Sequence, residues 1–462
     1  MKLNLHGYPC YKDTGVSWLK QVPADWGIQP GMAVLRERQV KNAGMQEKTV
    51  LSLSYGRIVI KPEEKLHGLV PASFEGYQII EPGNIIIRPT DLQNDQVSLR
   101  VGRSEHRGII TSAYIGLETR GGISSEYAYL LLHVYDSKKV FYSLGSGLRQ
   151  NLSWSDFHRL SFPVPTPEEQ EAIGRFIRYT DQRVNRLLKT KRRLIELLNE
   201  QKQAIIHRAV TRGLNPDVPL KASGVEWLGE APEHWEVKRA KLLFQEVDDR
   251  SSSGTEVLLS LRMYLGLVPH NDVSKVPIPP SSLINFKHIQ PGQIVMNRMR
   301  AAIGMFGVAT RSGLVSPDYA VFRPSAGVSP DYFVNVFKTR AAGDVFRVES
   351  KGLGTGSSGF MRLYTDRFGI VKLAVPPYDE QIAITKYIEA ETKEIAIVQD
   401  RAGREINFIR EYRTRLVSDV VTGQLDVRGL DLPDVDAEAA GMDAEAEELD
   451  EGTDEELEGA EL

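Results

Sequence analysis

Residues 164–177 read VPTPEEQEAIGRFI, and 211 residues later, at 375–388, the chain reads VPPYDEQIAITKYI. Each stretch opens a helix. Proline suits a first turn because its φ is already helical, and the acids that follow favour the positive helix end. Beyond each opening, positions step by four and three. The first series is Ile173, Ile177, Thr180, Val184, Leu187, Lys191, Leu194, Leu198, Gln201 and Ile205. The second is Ile384, Ile388, Glu391, Ile395, Val398, Ala402, Glu405, Ile409, Tyr412 and Leu416. This spacing is the seam of a coiled coil. Gly213 and Gly423 are natural stops, so each helix runs about 42 residues, or about 63 Å. A lone rod with one apolar stripe is not stable in water, so the two helices are expected to pack on each other. A whole globular unit intervenes, which makes the packing antiparallel.

The copying extends outward. GVSWLKQVPADW (15–26) is answered by GVEWLGEAPEHW (224–235), and YQIIEPGNIIIR (77–88) by FKHIQPGQIVMN (286–297), both at an offset of 209. IIHRAVT (205–211) is answered by LVSDVVT (416–422). The chain is therefore built A–B–A′–B′, with a period far too long for a solenoid. The divisions read as a domain over 1–165, a long helix over 166–212, a second domain over 213–375, a second long helix over 376–428, and an acidic tail over 429–462. The A units mix short β-type runs with helical stretches at 125–135 and 330–340. The fold class is α+β, with two α/β domains separated by a pair of long helices forming an antiparallel coiled coil.

With 462 residues the chain exceeds one core. The longest apolar run, around 127–134, falls far short of a membrane span. The N-terminus has no apolar stretch of signal-peptide length, and the one cysteine, Cys10, permits no internal disulfide. A cytoplasmic location is expected. The net charge of −4 conceals an asymmetry. From Asp431 to Leu462 there are 15 acids and no Lys or Arg, which leaves 46 acids against 57 bases, net +11, in the body. Such a tail buries too little apolar surface to order itself. It serves either as a solubility extension or as a mimic of nucleic acid.

Three motifs imitate catalytic ones. GTGSSG (354–359) spells a dinucleotide loop but precedes no helix, and its counterpart is GSGLRQNL (145–152). VPPY (375–378) resembles the turn of adenine methyltransferases, with valine where a polar acceptor belongs. Pro317–Asp318 with Glu349-Ser350-Lys351 loosely spells a PD…ExK nuclease pattern for Mg²⁺. The nine histidines show no zinc spacing. No catalytic or metal residues are assigned.

The charge favours nucleic acid. Each domain, 1–165 and 213–375, holds 19 bases and 15 acids. Two similar, moderately basic domains on a rigid spacer suit a reader of two DNA half-sites, with centres about one helical turn apart. Candidate DNA contacts are Arg100, Arg103 and Arg107 in the first domain, and Arg298, Arg300, Arg311 and Lys351 in the second.

These features resemble the specificity subunit of type I restriction-modification systems. The carriers are the GV-x-W-L…P-x-x-W openers, the P-x-x-x-E-Q helix starts at 165–170 and 376–381, and the AVTRGL and VVTGQL exits. The resemblance covers about residues 10–428. It implies that each A unit is a target-recognition domain and that the chain itself is non-catalytic. It also implies two modification subunits as partners, carrying adenine methyltransferase activity with S-adenosylmethionine, and restriction subunits that use ATP and Mg²⁺. The alternative readings are a stand-alone DNA nuclease or methyltransferase, and a scaffold that binds only protein.

Overall fold

A computed structural model of the chain describes residues 5–62, 73–95, 97–144, 151–263, 265–274, 276–353 and 360–433. It divides into two compact units, Met1–Lys191 with Arg404–Leu462, and Arg192–Gly403. Each unit holds one α+β domain, the start of the helix that follows it, and the end of the other helix. The units thus cut across the linear divisions read from the sequence.

Besides two small pairs near its ends, the first unit has the strands β1 (Leu35–Arg38), β2 (Leu51–Ser54), β3 (Arg57–Ile60), β4 (Gln78–Ile80), β5 (Ile85–Ile87), β6 (Val101–Arg103), β7 (Gly108–Ile110) and β8 (Ile115–Thr119). They precede α1 (Ser125–Ser137) and the first long helix, α2 (Pro167–Arg212). The main sheet has the order β1-β8-β5-β6, all antiparallel. β2–β3 and β4–β7 form separate two-stranded pairs. The run Ile85-Ile86-Ile87 follows from the pleat, because successive side chains leave opposite faces. Ile85 and Ile87 enter the large core with Leu117, Tyr127 and Phe141. Ile86 enters a smaller core with Leu51, Ile58, Ile80 and Ile110. Both faces are covered, and each such buried side chain contributes about 1.5–3 kcal/mol.

The second unit repeats this plan. Besides three peripheral pairs, it has the strands β9 (Phe244–Val247), β10 (Leu259–Arg262), β11 (Gly266–Pro269), β12 (Lys287–Ile289), β13 (Ile294–Asn297), β14 (Phe306–Val308), β15 (Gly313–Val315) and β16 (Tyr319–Pro324). α3 (Pro330–Phe337), α4 (Arg340–Glu349) and the second long helix, α5 (Tyr378–Val421), follow. The sheet order β9-β16-β13-β14 is the first order with every number raised by eight. Ile294 and Met296 face the large core, and Val295 faces a smaller one with Leu259, Leu261, Ile289 and Val321. The single helix α1 is here two helices, broken where Thr339 caps α4 by accepting from Ala342 N.

The repeated motifs of the sequence meet at one junction in each unit. In the first, Thr166 and Glu169 form a capping box: Thr166 Oγ1 accepts from Glu169 N at 3.3 Å and Glu169 Oε2 from Thr166 N at 3.4 Å. Glu169 also accepts from the Trp26 indole at 3.2 Å. The Gln170 amide donates to Pro165 O and Gly122 O, each at 3.0 Å, and accepts from Ser124 N at 2.7 Å. The end of α5 arrives at the same place, where Tyr127 Oη donates to Val421 O at 3.0 Å. The second unit repeats all but the capping box, since Pro377 stands where Thr166 does: Trp235 bonds Glu380 (3.1 Å), Gln381 bonds Pro376, Gly327 and Ser329 (2.9, 3.1 and 2.8 Å), and Tyr332 bonds Val210 O (3.2 Å). The stops need glycine for two reasons. Gly213 and Gly423 have φ of +71° and +72°. A Cβ on Gly423 would lie 2.4 Å from Pro23 Cδ, and one on Gly213 would lie 2.9 Å from the Glu380 carboxylate.

The helices are antiparallel in both units. In the first, Arg413 holds Asp181 with two bonds of 2.8 and 2.9 Å, and Lys191 meets Glu405 at 2.6 Å. In the second, Gln399 donates to Asn199 at 2.7 Å. The lengths, 46 and 44 residues, slightly exceed expectation. The seam needs a correction. Ile173, Ile177, Val184, Ile384, Ile388, Ile395 and Leu416 are buried, and Leu198, Ile205 and Ile409 are half-buried. Leu187, Leu194 and Val398 are exposed, at 44%, 38% and 40%. Their inward places are taken by Leu188, Ile195 and Gln399. A strict heptad drifts against 3.6 residues per turn unless the helices supercoil. The seam instead takes two four-residue steps in succession, Thr180 to Val184 to Leu188 and Ile384 to Ile388 to Thr392.

The tail expected from 429 starts later than that. Val427 is buried in the first core and Leu430 and Leu432 pack on it. Arg428 lies over the Tyr8 ring at 4.6 Å and pairs with Asp426 at 2.7 Å. Residues 434–462, with nearly all the acids, lie outside the described residues.

Candidate nucleic-acid interface

The seven basic residues proposed from sequence fall into three situations. Arg100 requires a correction, because it is fully buried. Its guanidinium donates to Thr90 O at 2.7 Å, Asp91 O at 3.2 Å and the Tyr142 hydroxyl at 3.2 Å. It also bonds the Asp95 carbonyl, and its backbone N–H donates to Asp136 at 2.6 Å. It holds the 88–100 segment closed and offers nothing to a duplex. A buried arginine is tolerated only when its donors are met in this way.

Arg107 and Arg298 are neutralised by neighbours. Arg107 pairs with Glu81 at 3.1 Å and Glu47 at 3.3 Å, and Arg298 with Glu246 at 2.7 Å. Arg103 is half-exposed, with Glu105 4.0 Å away. Arg300, Arg311 and Lys351 make no ion pair with a described residue, and Arg311 and Lys351 are exposed. The structure adds two arginines that the sequence did not single out, Arg57 and Arg262, at the ends of the hairpins β2–β3 and β10–β11. The charges of Arg57 and Arg103 both act on Tyr129, whose hydroxyl pKa burial raises. Those of Arg262 and Arg300 both act on Tyr319, also raised by burial. On Tyr129 the Arg413 charge acts more strongly than that of Arg57 or Arg103. A sequence signal existed, since Leu51-Ser52-Leu53 recurs as Leu259-Ser260-Leu261.

The imitations of catalytic motifs resolve locally. Asp318 pairs with Arg362 at 3.4 Å, and Glu349 with Arg367. Tyr378 is simply the first residue of α5. The glycine-rich segments 354–359 and 145–150 lie outside the described residues. Among the described residues no three His, Cys, Asp or Glu side chains are grouped to hold a metal, and no helix is long and apolar enough to cross a membrane. A distinctive charge network surrounds His288, with Nδ1 3.0 Å from Asp249 and Nε2 2.9 Å from Glu256. The bond to Glu256 raises the imidazole pKa, and the same bond holds the Glu256 carboxyl down at about 2.

No protein-family model matches the chain. In sequence it is 23% identical over 318 residues to the putative type I restriction enzyme MjaX specificity subunit of Methanocaldococcus jannaschii, spanning 66% of this chain and 69% of that one. In fold it matches a chain from a structure solved to explain complex assembly and conformational transition of the type I restriction-modification system. That match has a TM-score of 0.59 and 12% identity, over 87% of this chain and 98% of that one. The HsdS subunit from Thermoanaerobacter tengcongensis is also similar, with a TM-score of 0.43 and 12% identity over 89% and 99%. The fold is thus shared with a chain of known structure, a duplicated α+β domain with two long helices. In sequence the chain is similar to a type I restriction enzyme specificity subunit, the resemblance that its doubled helix starts carry. A stand-alone nuclease or methyltransferase finds no support among these relatives.

Proposed function

We propose that this chain is the non-catalytic, DNA-reading subunit of a type I restriction-modification complex, with each α+β domain reading one half of a split, asymmetric site in double-stranded DNA. One observation carries the reading. The two domains share strand order and the Trp, Gln and Tyr bonds of the junction, yet place different residues at their outer hairpins and basic clusters. One scaffold with two surfaces recognises two sequences. Phosphate contacts position each domain, and base contacts select.

The long helices carry the partner subunits. Leu187, Phe408 and Tyr412 in the first unit, and Leu194, Leu197 and Ile397 in the second, are exposed apolar side chains on α2 and α5. Two modification subunits dock there, bringing S-adenosylmethionine and adenine methylation. Restriction subunits bring ATP, Mg²⁺ and cleavage. The complex works in the cytoplasm, where its DNA is. Methylation mapping with the assembled complex tests the reading. A bipartite adenine motif is expected, and exchanging one domain should change one half of it. A motif that is undivided, or a DNA interaction indifferent to salt, overturns it, since phosphate neutralisation weakens steeply with salt.

A further inference from the structure

We infer that the hairpins β2–β3 and β10–β11 are the base-reading elements, with Arg57 and Arg262 as specificity-determining residues. The inference deepens the proposed function and rests on it. Both hairpins occupy the same place in the strand order, and each covers the smaller core of its unit. Their feet are alike. Leu51-Ser52-Leu53 matches Leu259-Ser260-Leu261, and each foot presses on a glycine of the sheet. A Cβ on Gly102 would lie 2.6 Å from Leu53 Cδ1, and one on Gly307 would lie 2.8 Å from Leu261 Cδ1.

The tips differ. The first turns on two residues, Tyr55 and Gly56, with φ of 45° and 78° and Ser54 paired to Arg57. Two positive φ values in succession are what a tight hairpin requires. The second pairs Arg262 with Gly266 instead, a wider closure, with Leu265 exposed at 66%. A fixed foot and a changed tip are what a frame needs to read two different words. A two-stranded ribbon fits the major groove, where a guanidinium bonds guanine through two atoms at once.

The test uses the assembled complex with wild-type chain, Arg57→Lys or Arg262→Lys, and duplex pools randomised in one half-site at a time. Methylated products are sequenced. Lysine keeps the charge but not the planar fork. Each variant is expected to relax selection at a base of one half-site by about 5- to 150-fold, a different half for each, with the salt dependence of binding unchanged. Leu265→Ser, at an exposed position, should alter the same half as Arg262→Lys. Unchanged stringency in all three variants beside a selective wild type overturns the hairpin assignment and leaves the proposed function standing. A wild-type complex without any sequence preference overturns both.

Discussion

The junctions and the hairpin tips are the two extremes of this duplicated chain. At the junctions, Trp26, Glu169 and Gln170 make bonds that Trp235, Glu380 and Gln381 repeat at nearly the same distances. At the tips, turn length and residues differ. The reason is the number of partners. Gln170 and Gln381 are buried, and each satisfies three backbone groups that have no other use for their bonds. A substitution there strands all three. Leu265 at the second tip is exposed, so changing it strands little.

The largest effect should therefore come from the glutamines. Gln170→Ala and Gln381→Ala should each cost about 3 kcal/mol, since buried groups are left unpaired. Equal losses in denaturant unfolding would sharpen the claim of a single junction built twice, and a loss confined to one copy would break it. Next are the close glycines. A Cβ on Gly313 would lie 2.5 Å from the Val257 carbonyl, whereas one on Gly307 meets only the end of the Leu261 side chain. Gly313→Ala should destabilise by about 2–3 kcal/mol and Gly307→Ala by about 1 kcal/mol, because a side chain can turn away and backbone cannot. Gly108→Ala against Gly102→Ala repeats the test in the first unit, where the carbonyl of Thr49 lies 2.6 Å away.

A smaller effect is expected from the tyrosines that tie each domain to the arriving helix. Tyr127→Phe and Tyr332→Phe remove one buried bond each, for about 1 kcal/mol, read as faster amide exchange in the last turn of α5 and α2 respectively. Smaller again is the Asp181–Arg413 pair. Asp181→Asn should cost about 0.5–1 kcal/mol, screened by salt.

The smallest effect separates the units by pH. His288 sits where the first repeat has Ile79. Its folded pKa is raised by Glu256, so its contribution is complete below its unfolded value of about 6.5 and is lost as pH rises through the folded value. Glu256, held at about 2, contributes above its unfolded value of about 4.3 and loses this as pH falls. His288→Gln should therefore speed exchange around 249–256 most between about pH 5 and 6.5, and much less at pH 8.5. A flat profile would show the network to be inert.

The duplication, the two long helices, their starts at Pro167 and near Pro377 and their stops at Gly213 and Gly423 were legible in the sequence, because local chemistry dictates them. The seam was legible at one position of each heptad. Leu187 and Leu188 are both apolar, and only the helix's true pitch against its partner chooses between them. Arg100 was misread for a related reason. An arginine beside turn residues looks like a surface cation, and its role depends on carbonyls of residues 88–95 that fold over it. Arg57 and Arg262 carry no mark of their own in one chain, and only the repeated Leu-Ser-Leu before them points to their hairpins.

Sequence alone determined that this protein is written twice, with which helices and with what charge, since spacing, proline, glycine and acids act on their own neighbours. Tertiary structure decided that each compact unit borrows the end of the other repeat's helix, which leucines face inward, and which arginines reach the surface. Those outcomes depend on burial and on hydrogen bonds between residues far apart in the chain, and no local pattern encodes them.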